Sequence, residues 1–461
     1  MRVLFIAHND PSFHPGGTEI FAKALFREVK TRPDVEAYFL ACVDGHYRSR
    51  RPGTAFQTIA GGGASEYLLW SGHFDWFHLS QNDHVGVFTE FVDLLRTLRP
   101  DVVHFHHVLL IGLEALAVVR RVLPRARILL TLHDYYLLCY NDGTLRTPQG
   151  RLCPGPTPDR CRACHPKPSA TAYALKTSFA KASLRHVDHL IAPSQFLRDR
   201  FVAWGVDPAS CMVLRNGILA EPPAAHRPLR KGERRARFGV FGNVNEAKGT
   251  LVALNAITRL RARGHMDAVL EIHGDLLFPD PTFKEAFETA LAAAGPAVIH
   301  KGGYDRADLP TRMAGVDWCV MPSVWYENAP LTIQEAFLHQ RPVICSGIGG
   351  MAEMVTHGRD GLLVPPGDVD ALADTMERAV TDPDLWPALV RGLPAVRDIA
   401  DCADEHVALY AGQAPMDAAE IVNTEAQAGS RVRTVPEPDR PNRAEADGYG
   451  DMEAFRTVGT V

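Results

Sequence analysis

Two stretches of this chain open on the same theme, and that theme leaves few folds open. VLFIAHNDPSFHPGGTEIFAKALF (3–26) and FGVFGNVNEAKGTLVALNAI (238–257) each run from a short apolar segment through a glycine-containing loop into a helix-spaced one. Short apolar runs alternating with longer amphipathic ones predict parallel sheets with helices on both faces. In the first half, strands are expected at Val3–Ala7, Ala37–Ala41, Val102–Phe105, Ile128–Leu132 and Leu190–Ala192. In the second half they are expected at Phe238–Phe241, Val269–His273, Ala297–His300, Trp318–Met321 and Pro342–Cys345. Helices are expected at Thr18–Lys30, where Phe21, Leu25 and Val29 share one face, and at Thr250–Arg263. The fold class is therefore α/β: two Rossmann-like, doubly wound domains facing across a cleft, with ligands outside the carboxyl ends of the strands.

The predicted boundaries follow the pattern. Residues 1–217 form the first domain, with a Cys- and Pro-rich insertion at 139–168, and residues 218–400 form the second. The basic, Pro-containing stretch between Asn216 and Arg237 reads as a linker. Residues 401–412 read as a terminal helix. Residues 413–461 lack apolar periodicity and read as a disordered acidic tail, carrying nine acidic residues against five arginines. That tail holds most of the net charge of −5, so the body is nearly neutral and offers no general attraction to nucleic acid. MRVLFIAHND lacks the apolar core of a secretory signal, and the longest apolar run, Val108–Val119, is too short to span a bilayer. A cytoplasmic protein is expected, with peripheral contact at a membrane face left open.

The segment WYENAPLTIQEAFLHQRPVICSGIGG (325–350) carries the sharpest chemistry. Glu327 falls in the loop after a strand, Pro330 suits the first turn of the next helix, and Glu335 lies about one turn in. Two such carboxylates suit a sugar donor, since each oxygen can accept a hydrogen bond from a hydroxyl. The helix N-terminus between them, at Asn328, Ala329, Pro330 and Leu331, offers free N–H groups to a diphosphate. Lys248, before the helix of the second domain's opening motif, can place an ammonium on the same diphosphate. Gly16, Gly17 and Gly242 sit in the two opening loops, where a missing Cβ lets a ligand approach. Neither loop is GxGxxG, which weakens a dinucleotide-dependent oxidoreductase reading.

With this spacing and its surroundings, the chain resembles the retaining glycosyltransferase family 4, which has the GT-B fold. The resemblance runs through HNDPSFHPGGTE (8–19), VVHFHH (102–107), TLHDYYLLC (131–139), FGNVNEAKGT (241–250), the 325–350 motif, GGMAEMVTHGRDGLLVPPGD (349–368) and DEHVALY (404–410). It implies that Glu335 bonds the ribose of the nucleotide, that Glu327 contacts donor-sugar hydroxyls, and that His133 faces the donor sugar. It also implies that the last helix crosses back onto the first domain. Where the family usually has arginine after the glycine, this chain has Asn243, so a cation is missing from its usual place. Ser194 and Asn216–Gly217 read as structural turns.

The activity expected on this resemblance is transfer of a sugar from a nucleoside-diphosphate sugar to a glycan or lipid-linked acceptor, with retention of configuration. The catalytic candidates are His133, Glu327 and Lys248. No DxD-like metal clamp stands out, so no cofactor is expected for catalysis. A GT-B nucleotide-sugar epimerase and a non-enzymatic nucleotide- or carbohydrate-binding protein are the alternatives. Finally, Cys139, Cys153, Cys161 and Cys164 are spaced C-x13-C-x7-C-x2-C in a segment too rich in proline for a helix or strand of any length. A structural zinc with four thiolates would order it, leaving no open position for catalysis; free thiols and disulfides are the other readings.

Overall fold

The structure is a computed structural model, and it describes residues 1–59, 63–277 and 280–413. The predicted tail therefore lies, from residue 414, outside the described residues. In the first half the strands are β1 (Arg2–His8), β2 (Glu36–Val43), β3 (Phe56–Thr58), β4 (Glu66–Trp70), a small hairpin β5 (Phe74–Asp75) and β6 (Ser80–Gln81), β7 (Val102–Phe105), β8 (Arg127–Thr131), β9 (His189–Ala192) and β10 (Cys211–Val213). In the second half they are β11 (Arg237–Phe241), β12 (Val269–His273), β13 (Val298–Gly302), β14 (Trp318–Met321), β15 (Val343–Ser346) and β16 (Gly361–Val364).

Two sheets result, with order β10-β9-β8-β7-β1-β2-β4-β3 and β13-β12-β11-β14-β15-β16. Every pairing within them is parallel except the edge pair β3–β4. The central strands are continuous apolar runs because helices cover both faces: Val3 to Ala7 and Trp318 to Val320 have no exposed surface. Strand order reverses beside β1 and beside β11, so the loops leaving those strands open where the neighbouring connections diverge. These are the two glycine-containing loops.

The helix after β1, Gly17–Val29, buries Phe21, Leu25 and Val29 on one face. The helix after β11 is Thr250–Ala262. Of the strands absent from the sequence reading, β3, β10, β16 and the hairpin are short or lie at edges, whereas β4 is a five-residue strand between β2 and β3.

The basic stretch 216–237 is not a free linker. Ile218 runs beside the chain at 397–399, donating to the Arg397 carbonyl and accepting from the Ile399 N–H. Further on, Arg227 and Arg235 bond the two oxygens of Asp317, at 2.8 and 2.9 Å, at the start of β14. The last helix, Ile399–Tyr410, lies against Gly17–Val29 of the first half. Arg32 bonds Asp404 at 2.8 Å, and the Tyr410 hydroxyl meets His104 at 2.6 Å. No helix among the described residues is long and apolar enough to cross a membrane.

Candidate functional site

The loop after β14 is built around one carboxylate oxygen. Glu327 Oε1 accepts from Lys248 Nζ at 2.7 Å, Ser323 Oγ at 2.8 Å and Trp325 Nε1 at 2.9 Å. Among the described residues no hydrogen bond to Oε2 is found. Glu327 is buried, whereas the Lys248 side chain keeps about a third of its surface exposed. Two glycines make this convergence possible. A Cβ on Gly249 would overlap the carbonyl oxygen of Pro322, so only glycine lets the Lys248–Gly249 turn sit down on the β14 loop. A Cβ on Gly350 would overlap the carbonyl of Asn328, and the Gly350 N–H donates to the Glu327 carbonyl at 2.6 Å. The Gly-Gly that closes the sequence motif thus clamps the backbone of its opening glutamate.

Asn328 ties this loop to the first half, its Nδ2 donating to the His133 carbonyl at 2.6 Å. Its Oδ1 is buried with no partner. Glu353 strengthens the junction by accepting from the N–H groups of Gln195 and Phe196 at 3.0 Å each, capping the helix Gln195–Trp204 from the opposite half. The predicted structural role of Ser194 holds, since its Oγ caps the same helix by accepting from Leu197 N.

Glu335 occupies the fifth position of the helix Leu331–Leu338. Its Oε1 accepts from Arg306 Nη1 at 3.1 Å. Burial raises its carboxyl pKa, and Arg306 opposes that shift. Pro330 is the N-cap residue, with ψ 120°, not part of the first turn as expected: the extended loop ends on it, and the helical angles begin at Leu331. Ala329 lies in the loop before it. Gly242 adopts φ +106° with open space around its missing Cβ, and half-buried Asn243 follows it. Gly16 is the N-cap and Gly17 the first residue of their helix.

The strand ends of the first half carry a buried histidine array that the sequence reading met only through His133. Burial pushes His133 down to about 3, so it is neutral, and its Nε2 lies 3.1 Å from His106 Nδ1. Beside it, His107 Nδ1 accepts from the Leu109 N–H at 2.9 Å. Its proton therefore sits on Nε2, which donates to Asp134 Oδ2 at 2.7 Å. Burial works against the Asp134 carboxylate, yet His107 and the Tyr136 N–H hold its pKa below the ordinary value. His8 stacks edge-on to His107 with ring centres 4.5 Å apart, and its Nε2 is 3.4 Å from Glu19 Oε1. The adjacent pairs His106–His107 and His133–Asp134 at two strand ends were the available signal for this array.

Burial pushes the Glu19 carboxyl up to about 8, with Asp134 and Asp10 adding to it. Native Glu19 thus keeps a proton that the unfolded chain loses near pH 4.5. Between those values the folded state binds more protons, so stability falls as pH rises and levels off above about 8. Glu19→Gln is expected to remove this slope, a difference on the order of 5 kcal/mol at full strength by linkage. Melting temperatures of both proteins from pH 5 to 9 check it, and parallel curves would refute it. Taking the difference is essential, because neutral buried His133 and His406 act in the opposite sense below about pH 6.5.

Contrary to expectation the Cys- and Pro-rich insertion holds a short helix, Pro158–Cys164, because Thr157 caps it and Pro158 takes the first position, where no N–H is needed.

Two families of known proteins match this arrangement. Residues 15–221 match glycosyltransferase family 4, and residues 235–382 match glycosyl transferases group 1. Among solved structures, Anabaena HepE in complex with UDP and glucose aligns with a TM-score of 0.64 at 18% identity, over 89% of this chain and 100% of that one. Sucrose-phosphate synthase from Thermosynechococcus elongatus aligns with a TM-score of 0.62 at 17% identity, over 89% and 98%. The fold is GT-B. The chain belongs to glycosyltransferase family 4. Among curated relatives, glycogen synthase of Mycobacterium tuberculosis is 33% identical over 203 residues, 43% of this chain and 47% of that protein. The lipopolysaccharide core mannosyltransferase LpsB of Rhizobium meliloti is 28% identical over 230 residues, 47% and 62%. The chain thus spans about half the length of the curated relatives it matches.

Proposed function

We propose that this protein transfers a sugar from a nucleoside-diphosphate sugar to the hydroxyl of a glycan or lipid-linked acceptor, with retention of anomeric configuration and without a catalytic metal. The observation that carries this reading is the Lys248–Glu327 contact at the strand ends of the second half. A cation for a departing diphosphate and a carboxylate for sugar hydroxyls are held within one hydrogen bond of each other. Such a pair stabilises charge that develops as the donor bond breaks. The helix N-terminus at Leu331 adds N–H donors to the phosphate side. Glu335, with one oxygen on Arg306, keeps the other for the ribose. Neutral His133 can exchange a hydrogen bond with a sugar hydroxyl without introducing charge. The acceptor oxygen attacks on the face the diphosphate leaves, and the departing phosphate takes its proton.

The test is a binding panel of UDP, GDP, ADP, dTDP and NAD⁺ without added metal, read by calorimetry and thermal shift. UDP and GDP come first, given UDP in the HepE complex and a GDP-mannose-dependent mannosyltransferase of Mycobacterium tuberculosis that is 28% identical over 227 residues. One nucleoside diphosphate should bind, and at a hundredfold excess over Kd it should add about 2.7 kcal/mol of stability. Glu335→Ala should weaken that binding by roughly 10- to 100-fold, the worth of a hydrogen bond to a charged group. Binding of NAD⁺ alone would overturn the proposal. Nucleotide binding without turnover of any donor would leave a non-enzymatic binding protein. The anomeric configuration of the product, read by NMR, decides retention.

A further inference from the structure

The four cysteines of the insertion between β8 and the helix Ala170–Leu184 are brought to one place. Cys139, Cys153, Cys161 and Cys164 are all free thiols, and together with His165 and Tyr173 they line a single cavity of about 20 Å³. That volume holds one water-sized body, far too little for a sugar or a nucleotide. Cys161 and Cys164 are three apart on the helix Pro158–Cys164 and so share a face. No residue of that helix is buried, so apolar packing does little to hold it in place.

A second observation concerns charge. Lys176 is buried, at 5% exposure, and its ammonium reaches only the carbonyl oxygens of Tyr136 and Leu137, both at 3.4 Å. Among the described residues no carboxylate pairs with it. A buried cation with no counter-charge is costly, and neutral thiols do not offset it. One Zn²⁺ with four thiolates carries a net charge of −2, which would.

Two of the four sulfurs are engaged with backbone oxygens. Cys139 Sγ faces the Asn141 carbonyl at 3.8 Å and Cys153 Sγ the Gly155 carbonyl at 3.4 Å. Among the described residues no group of three or more His, Cys, Asp or Glu is already set to hold an ion. Both contacts are weak ones for sulfur, and rotation about the Cα–Cβ bond exchanges them for a metal at the cost of a rotamer change.

We propose that Cys139, Cys153, Cys161 and Cys164 turn inward and bind one zinc ion in a tetrahedral tetrathiolate site that fastens the insertion. Each thiol gives up its proton to solvent as its sulfur–zinc bond forms, and no electron changes hands. With four sulfurs the site is closed, so its role is structural. The insertion it fastens begins just after His133 and Asp134, and Arg146 within it bonds Glu246, two residues from Lys248, at 2.8 Å. The metal thereby steadies one wall of the candidate site without entering the chemistry.

The test uses the full chain, purified without metal-affinity chromatography. Elemental analysis should find about one zinc per chain, as a closed site requires. Zinc should be released when a mercurial titrates the thiols, and cobalt substitution should give the visible spectrum of a tetrahedral tetrathiolate. Cys161→Ser with Cys164→Ser should abolish the zinc; the wild-type measurements stand even where that variant fails to fold. A protein without zinc whose four thiols all react with a disulfide reagent in the native state would overturn the proposal, as would disulfides among them by mass spectrometry. None of these readouts depends on transferase activity.

Discussion

Lys248→Ala is expected to lower the turnover of donor sugar by about 10²–10³-fold, the usual cost of losing one preorganised charge at a departing group. The fold should barely notice. Lys248 is partly exposed, so the ion pair is worth about 1 kcal/mol or less to stability. Ser323 and Trp325 continue to hold Glu327 Oε1. Glu327→Gln should cost a comparable factor, because the amide retains the shape but not the charge that orients the ammonium. The double variant should lose far less than the product of the two singles, since groups acting as a unit are not additive. Initial rates with the nucleotide sugar identified by the binding panel measure all three. A Lys248→Ala enzyme within threefold of wild type would remove the pair from the mechanism. Fully multiplicative losses would mean that the two residues act separately.

Asp317→Ala is expected to destabilise the second half by about 3–5 kcal/mol, the cost of leaving buried charges unpaired. Asp317 is 1% exposed and accepts from Arg227, Arg235 and the Arg237 N–H, at 2.8, 2.9 and 3.1 Å. Its own carbonyl accepts from Trp386 Nε1 at 2.8 Å, and the Arg235 guanidinium lies 4.3 Å from the Trp386 ring. Removing the carboxylate strands the Arg235 guanidinium between β11, β14 and the segment leading into them, and leaves Arg227 with Glu233 alone. Urea unfolding followed by tryptophan fluorescence, with Trp318 and Trp386 as local probes, should show an earlier transition. Replacing the trio by Asp317→Leu, Arg227→Met and Arg235→Met should recover much of the loss, because the penalty is unpaired charge more than missing attraction. A loss under 1 kcal/mol for Asp317→Ala would show that the connecting segment is held by other contacts.

Much of this molecule was legible from residue order because its signals are local. A parallel strand covered on both faces is mostly apolar, so the central strands β1, β7, β8, β11, β12 and β14 declare themselves even where β7 carries His104 and β12 carries Glu271. The edge strands β3, β10 and β16 do not. They are short, they pack on one side, and their partners decide them. The opening loops and the Glu-x7-Glu motif were likewise legible, as their spacing is set by one strand, one turn and one helix.

What residue order left open depends on contacts between distant segments. The basic stretch 216–237 reads as a linker because nothing nearby in sequence pairs with its arginines; Asp317, ninety positions beyond Arg227, is what docks it. Lys248 was legible as a cation before a helix, but its meeting with Glu327 rests on Gly249 seating against the carbonyl of Pro322. The pairing of His107 with Asp134, and Glu19's retained proton, arise only when β1, β7 and β8 lie side by side and exclude water. By itself the sequence determined the α/β pattern, the two halves and the chemical types gathered at their strand ends, because periodicity and turn chemistry act within a few residues. Tertiary structure alone decided which charges meet and which protons stay, because burial and electrostatic pairing belong to neighbours in space.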